Sequence, residues 1–284
     1  MRLGITSPIV TALPGSHSAW ETTAGVAELV RVAEAADRLG FDHLTCSEHV
    51  AVPVEIAAER GGTYWDPLAT LSFLAARTSR IRLVTQVLVL GYHHPLEIAK
   101  RYGTLDLLSG GRLVLGFGVG SIEAEFDVLG ASYAGRGAIA DDALAALRGT
   151  LSQPLPSYDG PHFRYSGLVV EPHAVQERLP FWIGGYTPRS LRRACEHGDG
   201  WVPFGLRHDR LAEMLAEVDL PEGFEVVLGA GRPVDPLGEP ERTRRAVART
   251  RDSGATIVNV HVAAESADHY VEQLEALAEL EGER

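Results

Sequence analysis

Cysteine is scarce in this chain, because its 284 residues include only Cys46 and Cys195. Two cysteines exclude a disulfide-stapled fold and a cysteine-rich metal knuckle. Lysine is scarcer still: Lys100 is the only one, and 26 basic residues face 38 acidic ones, a formal net charge of −12. So acidic a chain repels phosphate, and we therefore expect neither nucleic acid nor a membrane surface among its partners.

Long apolar runs are missing as well, and none approaches the roughly 18 residues of a membrane-spanning helix. The first residues lack the apolar stretch and cleavage site of a signal peptide, so we expect a soluble, cytoplasmic protein. The hydrophobic share is 45% and the charged share 23%, which are ordinary globular proportions. No compositional break marks a second domain, and we predict a single domain over residues 1–284.

Short apolar runs alternate along the chain with segments whose apolar residues recur at helical spacing. The predicted strands span 3–10, 41–46, 81–90, 112–117, 181–183, 200–204, 224–229 and 255–262. The predicted helices span 26–39, 67–77, 95–108, 141–148, 188–197, 208–217, 240–253 and 266–280. Such alternation indicates a parallel sheet, and this many units favour a closed (β/α)₈ TIM barrel over an open doubly wound α/β sheet.

The alternation is interrupted between the fourth and fifth predicted strands, at residues 150–180. This segment is rich in proline, and we interpret it as an inserted loop or hairpin that acts as a lid or specificity element. A turn is predicted at 158–160, and short strands are predicted at 163–165 and 168–170.

In a (β/α)₈ barrel the active site lies at the carboxyl ends of the strands. The second predicted strand ends in Glu48 and His49, a carboxylate beside an imidazole, and this position favours a catalytic role for the histidine. Metal ligation is the alternative, but it needs three or four converging ligands. His43 should lie within a strand, and the adjacent His93 and His94 cannot both point inward. We therefore predict no metal site.

Glycines gather after two neighbouring strands of the predicted barrel, the fourth and the fifth. Glycine permits positive φ and lets backbone N–H groups approach a ligand closely, which is how phosphates are bound. Each glycine cluster taken alone is also explained structurally, because glycine commonly terminates a strand. Together, on adjacent strands, the two clusters favour a phosphorylated cofactor that lies across the mouth of the barrel.

Several stretches match one signature closely: TSRIRL at 78–83, VLVL at 87–90, SGGRL at 109–113, GFGVG at 116–120, GG at 184–185 and GDGW at 198–201. Over most of residues 1–205 the chain resembles the luciferase-like superfamily of flavin- and deazaflavin-dependent oxidoreductases, which are (β/α)₈ barrels. It is most similar to the actinobacterial subgroup assigned to coenzyme F-420, an 8-hydroxy-5-deazaflavin.

The resemblance implies catalytic roles for Glu48, His49 and Glu123, with the histidine beside the cofactor ring assisting proton transfer. A bulge at Gln86 and Val87 would back the ring, and relatives often have a non-prolyl cis peptide there. The resemblance also implies contacts to the cofactor at Gly118, Gly120, Gly184, Gly185 and Thr187. Ser7 and Ser121, at the ends of the first and fourth predicted strands, are further predicted cofactor contacts.

Two departures from the family pattern concern substrate stacking. Many relatives have tryptophan where this chain has Ser121, and some deazaflavin dehydrogenases have an aromatic residue where it has 50–53. The preferred function is hydride transfer between reduced F-420 and a small organic substrate. An FMN-dependent monooxygenase is the alternative, and a non-catalytic flavin- or deazaflavin-binding barrel is the second alternative. In relatives the region that corresponds to 150–180 also contributes to dimer contacts, so the resemblance implies a homodimer.

Overall fold

A computed structural model describes residues 2–15 and 17–282, so the outermost predicted domain positions, Met1 and Arg284, lie outside the described residues. The strands are β1 (Arg2–Ile5), β2 (His43–Cys46), β3 (Arg82–Val89), β4 (Leu113–Gly118), β5 (Tyr158–Asp159), β6 (Arg164–Tyr165), β7 (Phe181–Gly184), β8 (Gly200–Val202), β9 (Glu225–Gly229) and β10 (Ile257–Val260). The helices are α1 (Val26–Leu39), α2 (Val54–Arg60), α3 (Pro67–Ala75), α4 (Pro95–Ser109), α5 (Glu123–Leu129), α6 (Arg136–Arg148), α7 (Pro188–His197), α8 (His208–Ala216), α9 (Pro240–Asp252) and α10 (Ala267–Gly282).

Eight of these strands close a parallel barrel in the order β1-β10-β9-β8-β7-β4-β3-β2, which confirms the predicted (β/α)₈ TIM barrel. The first strand is shorter than predicted and ends at Ile5. Beyond it, Ile9 has a φ of 75° and its N–H donates to Glu21 Oε2 at 2.9 Å, so the chain turns away from the sheet. Helices α2 and α5 were not predicted. No described helix is long and apolar enough to cross a membrane.

Local signals explain where the predicted helices begin and end. Helix α1 ends at Gly40, which has the left-handed φ of 81° that helix C-termini favour. Helix α3 begins after Asp66, whose side chain accepts a hydrogen bond from Ala69 N at 2.7 Å. These caps fix the end of α1 before β2 and the start of α3 after the loop that carries His49.

The apolar core is divided into two layers, as the pattern of alternating strand residues requires. The larger layer lies between the strands and the helices, and it includes Leu44, Phe117 and Trp201. A smaller cluster fills the barrel interior; its members are Val84, Val114, Trp182, Val202, Val227 and Ile257. The barrel interior is therefore filled with side chains, and a ligand can bind only at the ends of the barrel.

The amino-terminal end of the barrel is closed by charged groups. Asp42 pairs with Arg82 at 2.5 Å and with His43 Nδ1 at 2.8 Å. Burial raises the pKa of Asp42, but the histidine and the guanidinium outweigh burial and lower that pKa to about 2. A side chain at Gly4 would lie 1.9 Å from the His43 ring, so glycine is required there. This network stabilises the end opposite the candidate site.

The inserted segment differs in detail from the prediction. Its antiparallel strands β5 and β6 confirm the predicted hairpin, and β6 lies within the strand predicted at 163–165. The turn predicted at 158–160 and the strand predicted at 168–170 are both wrong. The reason is a contact with α6: the Asp142 carboxylate accepts the N–H groups of His162 and Phe163 at 2.7 and 3.0 Å and fixes the turn there.

The same segment is also attached to α4. The Asp106 carboxylate accepts the N–H groups of Val175 and Gln176 at 2.9 and 3.0 Å, and the Gln176 side chain donates to Leu113 O. These contacts place the returning half of the segment against the outer helical layer. A lid function for residues 150–180 stays a prediction.

Candidate active site

The third strand bulges where the sequence predicts it. Pairing between β3 and β4 shifts register between Thr85 and Leu88, and the Gln86–Val87 peptide bond is cis, as predicted. The end of β2 supports this bulge, because Ser47 Oγ donates to Gln86 O at 2.7 Å and Glu48 N donates to Val87 O at 3.4 Å. The ends of β2 and β3 therefore form one structural unit.

Two of the predicted cofactor-binding glycines make room for this bulge. A Cβ at Gly118 would lie 2.6 Å from Val87 Cγ2, and a Cβ at Gly184 would lie 2.9 Å from Val87 Cγ1. The Val87 side chain thus sits between β4 and β7, where only hydrogen atoms leave enough space. These glycines shape a platform at the mouth of the barrel, in addition to any contact with a ligand.

The Glu48 carboxylate forms its hydrogen bonds at the bulge of β3 and not with the adjacent His49. Its Oε2 accepts Val89 N at 2.6 Å, and its Oε1 lies 2.7 Å from His93 Nε2. Burial lowers the pKa of His93, but the Glu48 carboxylate outweighs burial, so that pKa is raised. The expected pairing of Glu48 with His49 is wrong, because successive side chains of an extended segment point to opposite sides.

The partner of His49 is Glu125, on α5. His49 Nδ1 lies 2.7 Å from Glu125 Oε2, and the same carboxylate accepts Val50 N at 2.5 Å, Ala51 N at 3.2 Å and Tyr92 OH at 2.7 Å. Glu125 is fully buried, and burial raises its pKa, but these donors together lower the pKa below its usual value. An ionised Glu125 selects the tautomer with a proton on Nδ1 and leaves Nε2 available for proton transfer.

A wall beside His49 comes from the connection between β2 and α3. The Tyr64 ring contacts the His49 ring edge-on, with centroids 4.5 Å apart, and its hydroxyl donates to Arg60 O at 2.6 Å. Arg60 Nη1 in turn donates to Ser121 Oγ at 2.8 Å. The predicted cofactor contact Ser121 is therefore linked through α2 to the histidine.

Other predicted residues lie apart from this network or have structural partners. Glu123 is the exposed first residue of α5 and does not share the buried face of Glu125. Ser7 is buried, and its hydroxyl accepts Thr45 N at 3.1 Å. Thr187 caps α7 by accepting Ser190 N at 3.2 Å.

The last two predicted glycines have tight surroundings of their own. Gly120 has a φ of 79°, and a Cβ there would lie 2.5 Å from the Phe126 ring. Gly185 has a φ of 128°, and a Cβ there would lie 2.7 Å from Ser190 Cβ. Both conformations favour glycine, so these positions form tight turns whether or not a phosphate lies near them.

Sequence reasoning missed two residues of the site. Glu125 precedes the buried Phe126 on α5, and this amphipathic face was the available signal. Asn259 is the single polar residue of β10; its Nδ2 donates to Thr6 Oγ1 at 3.1 Å and to Gln86 Oε1 at 3.4 Å. Its buried Oδ1 has no hydrogen-bond partner among the residues that the structure describes.

These features fit a flavin-type ring. The pyrimidine edge of a flavin or deazaflavin carries an N–H donor, and the unpartnered Asn259 Oδ1 is an acceptor beside the bulge. The Val87 side chain forms a platform between Gly118 and Gly184. A side chain at either glycine would collide with Val87 and displace this platform. No group of three or more metal-ligating side chains occurs within residues 2–15 and 17–282.

Comparison with known proteins agrees with this architecture. A family model described as luciferase-like monooxygenase matches residues 1–230. The 4-hydroxyprotoasukamycin monooxygenase of Streptomyces nodosus subsp. asukaensis is 40% identical over 181 residues, which cover 62% of this chain and 47% of that protein.

Two solved structures share the fold over nearly the whole chain. A monooxygenase from Streptomyces bottropensis matches with a TM-score of 0.76 at 23% identity and covers 98% of both chains. An F420-dependent secondary alcohol dehydrogenase matches with a TM-score of 0.72 at 14% identity, covering 97% of this chain and 98% of that one. At these identities the likeness shows the barrel alone.

Proposed function

This chain belongs to the luciferase-like monooxygenase family, and from that premise we propose that it is an FMN-dependent monooxygenase acting on a small organic substrate. The observation that carries the proposal is the His49–Glu125 pair beside the Gln86–Val87 bulge, at the carboxyl end of the barrel. The 40% identity to a named monooxygenase supports oxygen chemistry over the hydride transfer that the sequence motifs favour.

The proposed cofactor site combines the platform with polar groups around it. Val87, between Gly118 and Gly184, would support the ring, and Asn259 would accept a hydrogen bond from its edge. The amino-terminal end of α7, after Gly185, provides the partial positive charge that favours a phosphate. When bound, the reduced flavin supplies the two electrons with which one atom of O₂ enters the substrate and the other leaves as water.

The residues of this chain would then control protons and water. His49 would hold or donate a proton at Nε2, while Glu125 fixes its ring from Nδ1. Glu48 would act as a positioning residue, because it holds the bulge through Val89 N. Tyr64 packs against His49 and helps to exclude water from the reacting centre.

Hydride transfer with coenzyme F-420 is the second candidate. The sequence motifs at 78–83, 109–113 and 116–120 favour it, and a deazaflavin presents the same pyrimidine edge to Asn259. Against it, residues 50–53 lack the aromatic residue that some deazaflavin dehydrogenases have there. Glu123 would be its acidic catalytic residue.

Cofactor retention followed by turnover distinguishes the candidates. The protein is incubated with FMN or with F-420, passed through a gel-filtration column, and its absorbance spectrum is recorded. The retained cofactor is then reduced, and turnover is followed with a panel of small organic substrates, in air and without oxygen. We expect retained FMN and oxygen-dependent turnover. Retained F-420 with oxygen-independent turnover would favour the second candidate, and retention without turnover on any substrate would favour a non-catalytic barrel.

A further inference from the structure

A cavity rich in arginine lies between the loop that follows β9 and helix α9. Its volume is about 380 Å³, and Arg232, Arg242, Arg245 and Arg249 line it. The chain as a whole carries a formal net charge of −12. Four guanidinium groups around one cavity are therefore a local reversal of the protein's charge, and such a reversal attracts anions.

Most of this positive charge is not neutralised by the protein. Arg242 pairs with Glu239, but the other three arginines have no carboxylate partner among the residues that the structure describes. Asp235 also lines the cavity, and its Oδ1 accepts Gly238 N at 2.8 Å and the Gln273 side chain at 2.7 Å. The cavity thus keeps an excess of positive charge.

A buried hydroxyl in the wall of the cavity lacks a partner. Thr243 is 1% exposed, and its Oγ1 has no hydrogen-bond partner within residues 2–15 and 17–282. Threonine in a helix usually satisfies its hydroxyl on the carbonyl four residues earlier. On the same helix Thr250 does so, donating to Ala246 O at 2.9 Å. The Thr243 hydroxyl is therefore an unsatisfied buried group in the wall of the cavity.

The loop that carries Arg232 is held in place. Val234 N donates to His261 O at 2.8 Å, and Ala263 N donates to Val234 O at 2.9 Å, so the loop continues the sheet beyond β10. The cavity lies at the carboxyl end of the barrel, as the candidate active site does. Strand β8 separates β9 from β7, whose glycines belong to the proposed cofactor site.

We propose that this cavity binds the phosphate group of a small molecule, at a site separate from the cofactor. Guanidinium groups donate paired hydrogen bonds to phosphate oxygens and keep their charge at any physiological pH. Arg232, Arg245 and Arg249 supply this chemistry without first breaking an ion pair, and Thr243 adds a neutral donor.

Thermal unfolding in inorganic phosphate tests the site. The apo protein is titrated with phosphate, with chloride at matched ionic strength as the reference. We expect a saturable rise in the unfolding midpoint. Arg245→Ala and Thr243→Val should each weaken the apparent affinity, by about tenfold for the arginine. Arg251→Ala, on the same helix outside the cavity, should respond as the wild type does.

Three outcomes with the apo protein would overturn the proposal. They are the absence of a saturable phosphate effect, an equal loss of the effect in Arg251→Ala, and equal stabilisation by the tricarboxylate citrate at the same concentration. Repeating the titration with FMN-saturated protein tests the separation from the cofactor, because competition by FMN would assign the cavity to the cofactor instead. If neither FMN nor F-420 binds, only the proposed function is refuted. The phosphate site is tested separately, because the arginine variants are measured on the apo protein.

Discussion

His49 is held by a carboxylate 76 positions further along the chain, with its Nδ1 2.7 Å from Oε2 of the fully buried Glu125. The contact joins the end of β2 to α5, which follows β4, so β2, β3 and β4 must be assembled before the histidine is oriented. A buried carboxylate that accepts several hydrogen bonds stays ionised and fixes the imidazole tautomer. The predictions below follow from this arrangement and from the networks around it.

Replacing His49 should slow the chemical step and leave the affinity for the cofactor almost unchanged. We expect His49→Ala to lower kcat by about 10²- to 10⁴-fold, the usual contribution of a general acid or base. The Kd of the cofactor should stay nearly unchanged, because the platform at Val87 does not depend on this side chain. Steady-state kinetics at saturating cofactor, with a fluorescence titration for Kd, measures both. An unchanged kcat would make His49 a structural residue.

The two acidic residues of α5 should behave differently. Glu125→Gln keeps the size of the side chain but removes a charge-assisted hydrogen bond worth about 1.5–3 kcal/mol, so kcat should fall about 10- to 100-fold. Glu123→Gln is the matched control: under the FMN proposal its exposed position predicts wild-type kcat. A loss of kcat in the Glu123 variant alone would instead support the acidic catalytic role that the deazaflavin resemblance implies.

A methyl group at Gly118 should disturb the platform. Its Cβ would lie 2.6 Å from Val87 Cγ2, so Gly118→Ala must displace the bulge and raise the Kd of the cofactor. Adding Val87→Ala to the same chain should recover part of the affinity, because the colliding methyl groups are removed. Gly229→Ala, where a Cβ meets nothing within 4 Å, is the control. Equal affinities of Gly118→Ala and Gly229→Ala would contradict this role.

The ion pairs of Asp42 with His43 and Arg82, at the amino-terminal end of the barrel, should stabilise the fold less at low pH. The pKa of Asp42 falls from 3.8 to about 2 on folding, so its contribution is complete above pH 3.8 and is lost as the pH falls through about 2. The shift corresponds to roughly 2 kcal/mol. Urea unfolding of wild type and Asp42→Asn should therefore show a difference at pH 7 that shrinks below pH 4. A constant difference would contradict this interpretation.

Much of the fold follows from local sequence signals. The apolar stripe of α1, its end at Gly40 and the cap of α3 at Asp66 depend on neighbours within one helix, so the sequence alone predicts them. The bulge at Gln86–Val87 follows from the resemblance to the family, which covers that region closely.

The missed features depend on contacts between distant segments. Adjacency suggested that Glu48 serves His49, but only the folded barrel shows that α5 brings Glu125 to the histidine. The position of the turn in the inserted hairpin depends in the same way on Asp142 of α6, which fixes that turn from outside the segment. Such pairings have no signature in local periodicity.

The most direct test of the proposed chemistry is the source of the oxygen atom in the product. Reduced FMN, the protein and a substrate found in the turnover panel are incubated under ¹⁸O₂, and the product mass is measured. We expect one labelled oxygen atom per product molecule with wild type, and slower formation of the same labelled product with His49→Ala. A product without label, formed equally well when oxygen is removed, would contradict a monooxygenase reaction.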